Sequence, residues 1–316
     1  MLIFYTNYHI AVNECMVNDL TAIGHKVIMP SVDMAKDRIW FFAPNDEHAS
    51  NPNVEIVSYE RFLSLPPMAI IIPCCQLYHD FMKLYEERGK KDILVYLAAL
   101  NNTIKIYPLD GADFVISHDI VFHRACKAKY KILYFGRPPI LIPKNKDYEK
   151  AFREKKIKLY INNFMKDFNK EERIEAEKFA DYWGKVPFFG YGNPDGWLSR
   201  EDVQKQMVDS FFTLSFKRMD TWGNAVLESM LLGTPAIFLK KFIRSTFTQY
   251  LINHDTAIIG ETVEEIVDKL HKIDYYGYLN MCFEAQKQAE MFTNDQNRRE
   301  KLRWLFDKVE KTFEKK

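Results

Sequence analysis

Asp220 and Glu228 stand at the two ends of the run Asp220-Thr-Trp-Gly-Asn-Ala-Val-Leu-Glu228, which continues into Ser-Met-Leu-Leu-Gly-Thr-Pro235. Two carboxylates at such a spacing are common, and it is their setting that gives them weight. Residues 211–216 (Phe-Phe-Thr-Leu-Ser-Phe) read as a strand, 217–220 as a loop, and the stretch through Leu232 as a helix with Asp220 or Thr221 at its N-cap. That order turns free backbone N–H groups and the positive end of a helix dipole toward whatever lies above the sheet, a good position for a diphosphate. Gly223 keeps the approach open, and Lys217 and Arg218 offer side-chain charge, the arginine in bidentate fashion. The plainer alternative is that both cations are solvated and Asp220 only caps. Glu228 falls among Val226, Leu227, Met230 and Leu231, where a carboxylate is costly unless it meets a partner or a ligand. A pair of ribose hydroxyls would suit it as acceptor; the alternative is a glutamate on the outer helix face.

Upstream, Gly190-Tyr-Gly-Asn-Pro-Asp-Gly196 places three glycines and a proline in one tight loop after an expected strand. Glycine permits positive φ and close approach of backbone to a flat ligand, although an ordinary turn needs the same residues and no GxGxxG is formed. Near the N-terminus, Asn7 and His9 follow the first strand and either touch a second substrate or satisfy loop backbone. His123, Arg124, Lys127, Lys129 and Lys131 crowd a short segment, either a track for phosphates or a solvated helix face.

These residues are carried by a regular alternation. Apolar runs at 2–5, 26–29, 54–57, 68–72, 93–97, 114–116 and 132–134 predict strands, with helices following the first and others near 76–88 and 119–128. The pattern restarts with strands at 159–161, 187–189, 211–216, 236–239 and 256–259, separated by helices, and ends in further helices. One of these carries the stripe Leu302, Leu305, Phe306, Val309, Phe313. Apolar strands alternating with helices imply parallel sheets covered on both faces. The stretch from Pro138 to Lys158, proline-rich and then mixed in charge, reads as the connection between the two halves. The expected organisation is α/β, with two Rossmann-like doubly wound domains facing a cleft: 1–140, 141–290, and a terminal helix at 291–316 packing back on the first.

A chain of 316 residues exceeds what one core usually supports, and 47% apolar with 28% charged residues is globular composition. A formal net charge of +1 gives no global case for a polyanionic partner, although a neutral total can hide a basic face. Five cysteines, odd in number and without CxxC spacing, point to a reducing, cytoplasmic setting without structural zinc. The reading expects no signal peptide and no membrane span. The first strand end, Tyr5-Thr-Asn-Tyr-His9, lacks the glycine fingerprint of a nicotinamide-dependent oxidoreductase.

The segment Glu228-Ser-Met-Leu-Leu-Gly-Thr-Pro235, with Asp220 before it, resembles the donor-site signature of retaining glycosyltransferases of the B-type fold, particularly the large family 4; the likeness runs from about 190 to 259. The glycine loop resembles that of a subgroup among phage and bacterial enzymes. The resemblance implies a nucleotide-sugar donor, most readily a UDP-sugar, and no required metal or other cofactor. Glu228 would hold the ribose, while Asp220 and the amides of Thr221, Trp222 and Gly223 would face sugar and diphosphate. Lys166 would be the phosphate-binding lysine, and Tyr191 or Gly192 would lie near the base. The family more often has glutamate where Asp220 stands. Where it has a histidine after the strand at 93–97, this chain has Asn101 and Asn102; His118 substitutes only if its loop folds inward. The implied acceptor is a hydroxymethylated DNA base or a glycan. A non-catalytic nucleotide- or sugar-binding module is the alternative.

Overall fold

The structure, a computed structural model, describes residues 1–6, 10–36, 50–73, 78–98, 109, 111–118, 120–161, 164–165, 169–218, 224–243 and 247–315. The chain divides into two compact units, Met1–Pro139 with Thr293–Lys316, and Ile140–Phe292.

In the first unit the strands are β1 (Leu2–Phe4), β2 (Lys26–Pro30), β3 (Val54–Val57), β4 (Ala69–Pro73), β5 (Ile93–Ala98), β6 (Phe114–Ser117) and β7 (Tyr130–Leu133). They pair in the order β3-β2-β1-β4-β5-β6-β7, every pairing parallel. Parallel neighbours need crossovers, supplied here by α1 (Ile10–Ala22), α2 (Tyr59–Ser64), α3 (Tyr78–Glu87) and α4 (Ile120–Ala125). Ser58 caps α2 by accepting from the Arg61 amide, a helix start that apolar periodicity alone does not reveal. Covering on both faces explains why Ala-Ile-Ile-Ile-Pro of β4 is buried at every position rather than alternating.

The second unit has β8 (Ile157–Tyr160), β9 (Phe188–Phe189), β10 (Phe212–Leu214), β11 (Ala236–Leu239) and β12 (Ala257–Gly260), again all parallel, in the order β12-β11-β10-β8-β9. Its helices are α5 (Tyr148–Glu154), α6 (Lys170–Trp183), α7 (Arg200–Val208), α8 (Asn224–Leu231), α9 (Val263–Lys272) and α10 (Tyr275–Phe292). Helix α5 lies inside the stretch expected to be a plain connection. Mixed charge hides it, but Asp147 caps it by accepting from Lys150 N, Ala151 is buried, and Tyr148 and Phe152 pack on the unit's core. Lys155 ends it in the left-handed region at φ 49°. Just before it, Lys146 is buried and donates to Val208 O (2.9 Å), Ser210 O (2.5 Å) and Thr234 Oγ1 (2.7 Å).

The last helix, α11 (Asp295–Phe313), belongs to the first unit and packs against α1 and β7. Its inward stripe of Leu302, Leu305, Phe306 and Val309 is fully buried. One charged hub fixes it: Asp19 on α1 is buried and accepts from Arg298 Nη2 (2.9 Å), Arg298 Nε, Arg299 Nε (3.0 Å) and the Tyr134 hydroxyl (2.8 Å). Burial pushes the neighbouring Cys15 thiol up to about 11, so it stays neutral beside that carboxylate. Among the described residues no helix is long and apolar enough to cross a membrane.

Replacing Asp19 by alanine strands the buried Arg298 charge and is expected to destabilise the first unit by about 3–5 kcal/mol, read as a lowered urea midpoint. His25 packs edge-on to Phe306 at 5.3 Å, and burial followed by the N-terminal amine lowers its pKa to about 4. Its neutral form stabilises the fold above the unfolded value of about 6.5, and that contribution is lost as pH falls from there toward 4. The Tm of His25→Gln should therefore drop less than that of the unsubstituted protein between those limits; equal drops would contradict the assignment.

Candidate functional site

In an open parallel sheet, ligands bind beyond the carboxyl ends of the strands where the strand order reverses. In the second unit that point lies between β8 and β10, with β9 beside β8. The loop after β9 is organised by Asn193, which is buried. Its amide donates to Ile161 O (2.6 Å) and Phe189 O (3.0 Å), and its carbonyl accepts from Phe164 N (3.0 Å). One side chain thus ties the segment leaving β8 to the segment leaving β9. Gly190, Gly192 and Gly196 take positive φ of 131°, 76° and 82°, and the ring closes with Gly190 N donating to Gly196 O at 2.8 Å. The glycines are required by this turn, and the result is to hold Tyr191 and Trp197 outward, 67% and 70% exposed.

Helix α8 follows β10 and carries Glu228 into the interior, 6% exposed. The helix is seated from behind: the Ser229 and Thr213 hydroxyls lie 2.6 Å apart, and Ser229 Oγ donates to Thr234 O at 2.8 Å. Gly233, at φ 77°, closes the helix, and a Cβ there would come within 2.8 Å of the Tyr148 hydroxyl. Glu228 meets Arg200, whose Nη2 lies 2.9 Å from Oε1, and Gln204, whose Nε2 lies 3.4 Å from Oε2. Both partners come from α7, one helical turn apart. Gln204 is itself fully buried and accepts from Leu141 N at 2.7 Å, which fixes its orientation. The partner that a glutamate among apolar neighbours demands is therefore supplied by the protein.

Arg200 and Gln204 are not among the residues that the sequence singles out. A signal exists: Arg200 occupies the first turn of a helix capped by Ser199, where the macrodipole disfavours a cation unless a carboxylate faces it.

The cations after β10 divide. Lys217 is half-buried, whereas exposed Arg218 is engaged with α6, Nη1 lying 3.1 Å from Glu171 Oε2 and Nε 3.5 Å from Glu172 Oε1. Glu172 also accepts from the Arg218 amide at 3.3 Å, so this loop is pinned by a buried carboxylate. In the first unit, His118 is buried at the end of β6, its amide donating to Ala98 O (2.9 Å) and its Nδ1 2.7 Å from Tyr134 O. It lies at the carboxyl end of the parallel sheet, with its side chain buried. Asn7, His9, Asn101, Lys166, Asp220, Thr221, Trp222 and Gly223 lie outside the described residues. Among the described residues no group of three or more His, Cys, Asp or Glu is placed to hold a metal ion.

No family model and no curated protein matches this sequence. Solved structures do match in fold. Sucrose-phosphate synthase from Thermosynechococcus elongatus superposes with a TM-score of 0.60 at 12% identity, over 98% of this chain and 99% of that one. The DNA-modifying enzyme β-glucosyltransferase, studied with and without uridine diphosphoglucose, gives 0.57 at 13%, over 98% and 99%. S. aureus TarM, in complex with fondaparinux, α-GlcNAc-glycerol and UDP, gives 0.59 at 14%, over 75% of this chain; the present chain spans only 55% of its length. The chain thus has the B-type glycosyltransferase fold, with Rossmann-like units built on parallel sheets.

Arg200→Ala leaves Glu228 buried without its strongest partner and is expected to cost about 3 kcal/mol of stability. A Tm within a degree or so of the parent would show that the pair is immaterial to the fold. Asn193→Ala, which orphans Ile161 O, Phe189 O and Phe164 N, should lower the Tm and speed proteolysis near residue 190.

Proposed function

We propose that this protein transfers a hexosyl group from a nucleotide-sugar donor, most readily a UDP-sugar, to an acceptor hydroxyl. The carrying observation is the near-buried Glu228 carboxylate held by Arg200 and Gln204 on the helix that follows β10, beside the switch point of a B-type fold. A fixed carboxylate is an acceptor suited to ribose hydroxyls, because each oxygen keeps a lone pair beyond the one that Arg200 or Gln204 engages. Relatives in fold that carry UDP or were studied with uridine diphosphoglucose support a uridine donor.

In this reading, Asp220 and the amides of Thr221, Trp222 and Gly223 face the sugar and diphosphate, with Lys166 and Lys217 as cations. Preorganised N–H dipoles and cations would stabilise the leaving diphosphate, and no metal is required. Tyr191 and Gly192 border the base. Retention follows from the resemblance of the Glu228–Pro235 segment and would use the donor phosphate as base. Asn101 or His118, and Asn7 and His9 for the acceptor, complete the assignment from the first unit. A hydroxymethylated DNA base is the favoured acceptor, supported by the fold likeness to a DNA-modifying β-glucosyltransferase and by the basic segment at 123–131.

Calorimetric titration with UDP-glucose decides the carrying point. Glu228→Gln should weaken donor binding at least about tenfold, a loss of about 1.4 kcal/mol, with the far-UV spectrum unchanged. Unchanged affinity would remove Glu228 from the donor site. Product anomers resolved by NMR test retention, and hydroxymethylated duplex against a glycan panel tests the acceptor.

A further inference from the structure

The first unit carries a basic and aromatic surface that the donor reading leaves unused. Helix α11 spaces Lys301, Trp304, Lys308 and Lys311 at alternating steps of three and four residues, one stripe along its outer side, and Lys315 follows just past the helix end. Lys301, Lys311 and Lys315 are exposed, and Trp304 is 44% exposed. Of the acidic residues of the helix, Glu310 takes the Met1 amine at 3.3 Å, Asp295 takes Arg298 and Arg299, and Glu300 accepts from Gln296 at 2.9 Å, while exposed Asp307 borders the stripe. Among the described residues, none of these four lysines forms an ion pair.

Tertiary structure joins this stripe to a second basic segment. Residues 120–139 contain five lysines and arginines and no acid. Tyr130 at the start of β7 meets Trp304 edge to face at 6.1 Å. Lys129 lies over the Tyr130 ring at 5.3 Å and Lys308 over the Trp304 ring at 5.9 Å. The two rings hold two ammonium groups on one surface, between the helix stripe and exposed Arg124 and Lys127. The positive field is felt locally: the His123 pKa is lowered by burial, then by Lys131 and Lys301.

We propose that this α11–β7 surface binds the phosphate backbone of duplex nucleic acid. From Lys301 to Lys311 the stripe runs ~15 Å at ~1.5 Å per residue. That matches about four phosphates along one strand of a duplex. A single strand held by stacking would need an open aromatic face, whereas Trp304 is covered by Lys308 and abutted by Tyr130. An anionic bilayer would call for several exposed apolar side chains beside the cations, whereas Leu302, Leu305, Phe306 and Val309 of α11 are buried and Trp304 stands by itself among the lysines. Because Tyr130 opens a parallel strand, the surface lies at the amino end of that strand, away from the carboxyl ends where the acceptor residues are assigned. It is a docking surface for substrate-length DNA and uses no residue of the donor reading.

The test is fluorescence anisotropy with a short, unmodified, labelled duplex. The unsubstituted protein should bind, weakening steeply between about 50 and about 200 mM salt. Lys301→Gln with Lys308→Gln should weaken binding about tenfold or more and reduce the slope of log K against log salt by about 1.8, ~0.9 for each phosphate no longer neutralised. Lys272→Gln with Lys287→Gln, exposed cations of the second unit paired with Asp268 and Glu284, should leave both unchanged. No duplex binding, an unaltered slope in the first pair, an equal loss in the second, or binding of phosphatidylglycerol vesicles in place of duplex would each overturn the proposal. Release of UDP from UDP-glucose without DNA reads the donor site separately, so the two proposals fail independently.

Discussion

A parallel strand cannot reach its neighbour by a tight turn, and most of this protein follows from that constraint. Each pairing in both sheets is parallel, so each demands a crossover, and helices cover both faces. Strand interiors then become continuous apolar runs, as in β4, and polar residues are driven to the loops at strand ends. Where strand order reverses, adjacent loops leave in opposite directions and open a crevice. Asn193 shows how a single buried amide sets the shape of that opening, by giving the backbone leaving β8 and β9 one shared set of hydrogen bonds.

Buried charge is the second organising feature. Glu228 with Arg200, Asp19 with Arg298, and Arg88 with Asp92 are each desolvated and each closed by further hydrogen bonds. Arg88 donates to Leu65 O and Pro66 O as well as to both carboxylate oxygens of Asp92, and Asp92 also accepts from Met68 N at 2.9 Å. Such pairs add little net stability against apolar substitutes, but they fix geometry, because a broken pair leaves an uncompensated charge. The Asp19 hub sets where α11 lies in the first unit. The Glu228 pair sets the direction of a carboxylate on α8.

The same helix that Asp19 holds shows how one element serves two surfaces. Its apolar stripe is buried against the unit, and its basic stripe, offset around the helix, meets Tyr130 and Lys129 outside. A formal charge of +1 for the whole chain conceals the basic segment at 120–139, which holds five lysines and arginines and no acid.

Strand and helix order is legible because apolar periodicity is a local property: 26–29, 54–57 and 93–97 read as strands and are strands, with ends shifted by a residue at most. Helices α2 and α5 escape that reading because one is a short turn and the other hides Tyr148, Ala151 and Phe152 among charges. The sequence by itself determined that Glu228 is a carboxylate among apolar neighbours and that Gly233 ends its helix, since both depend on residues within one or two turns. Only tertiary structure decided what Glu228 meets. Arg200 and Gln204 stand 28 and 24 residues away on another helix, and nothing in local periodicity encodes a partner whose approach is set by packing. The same holds for Lys129 and Lys308, brought onto adjoining rings from segments far apart in the chain: like charges gather there because the fold places them, and chain order alone contains no such distance.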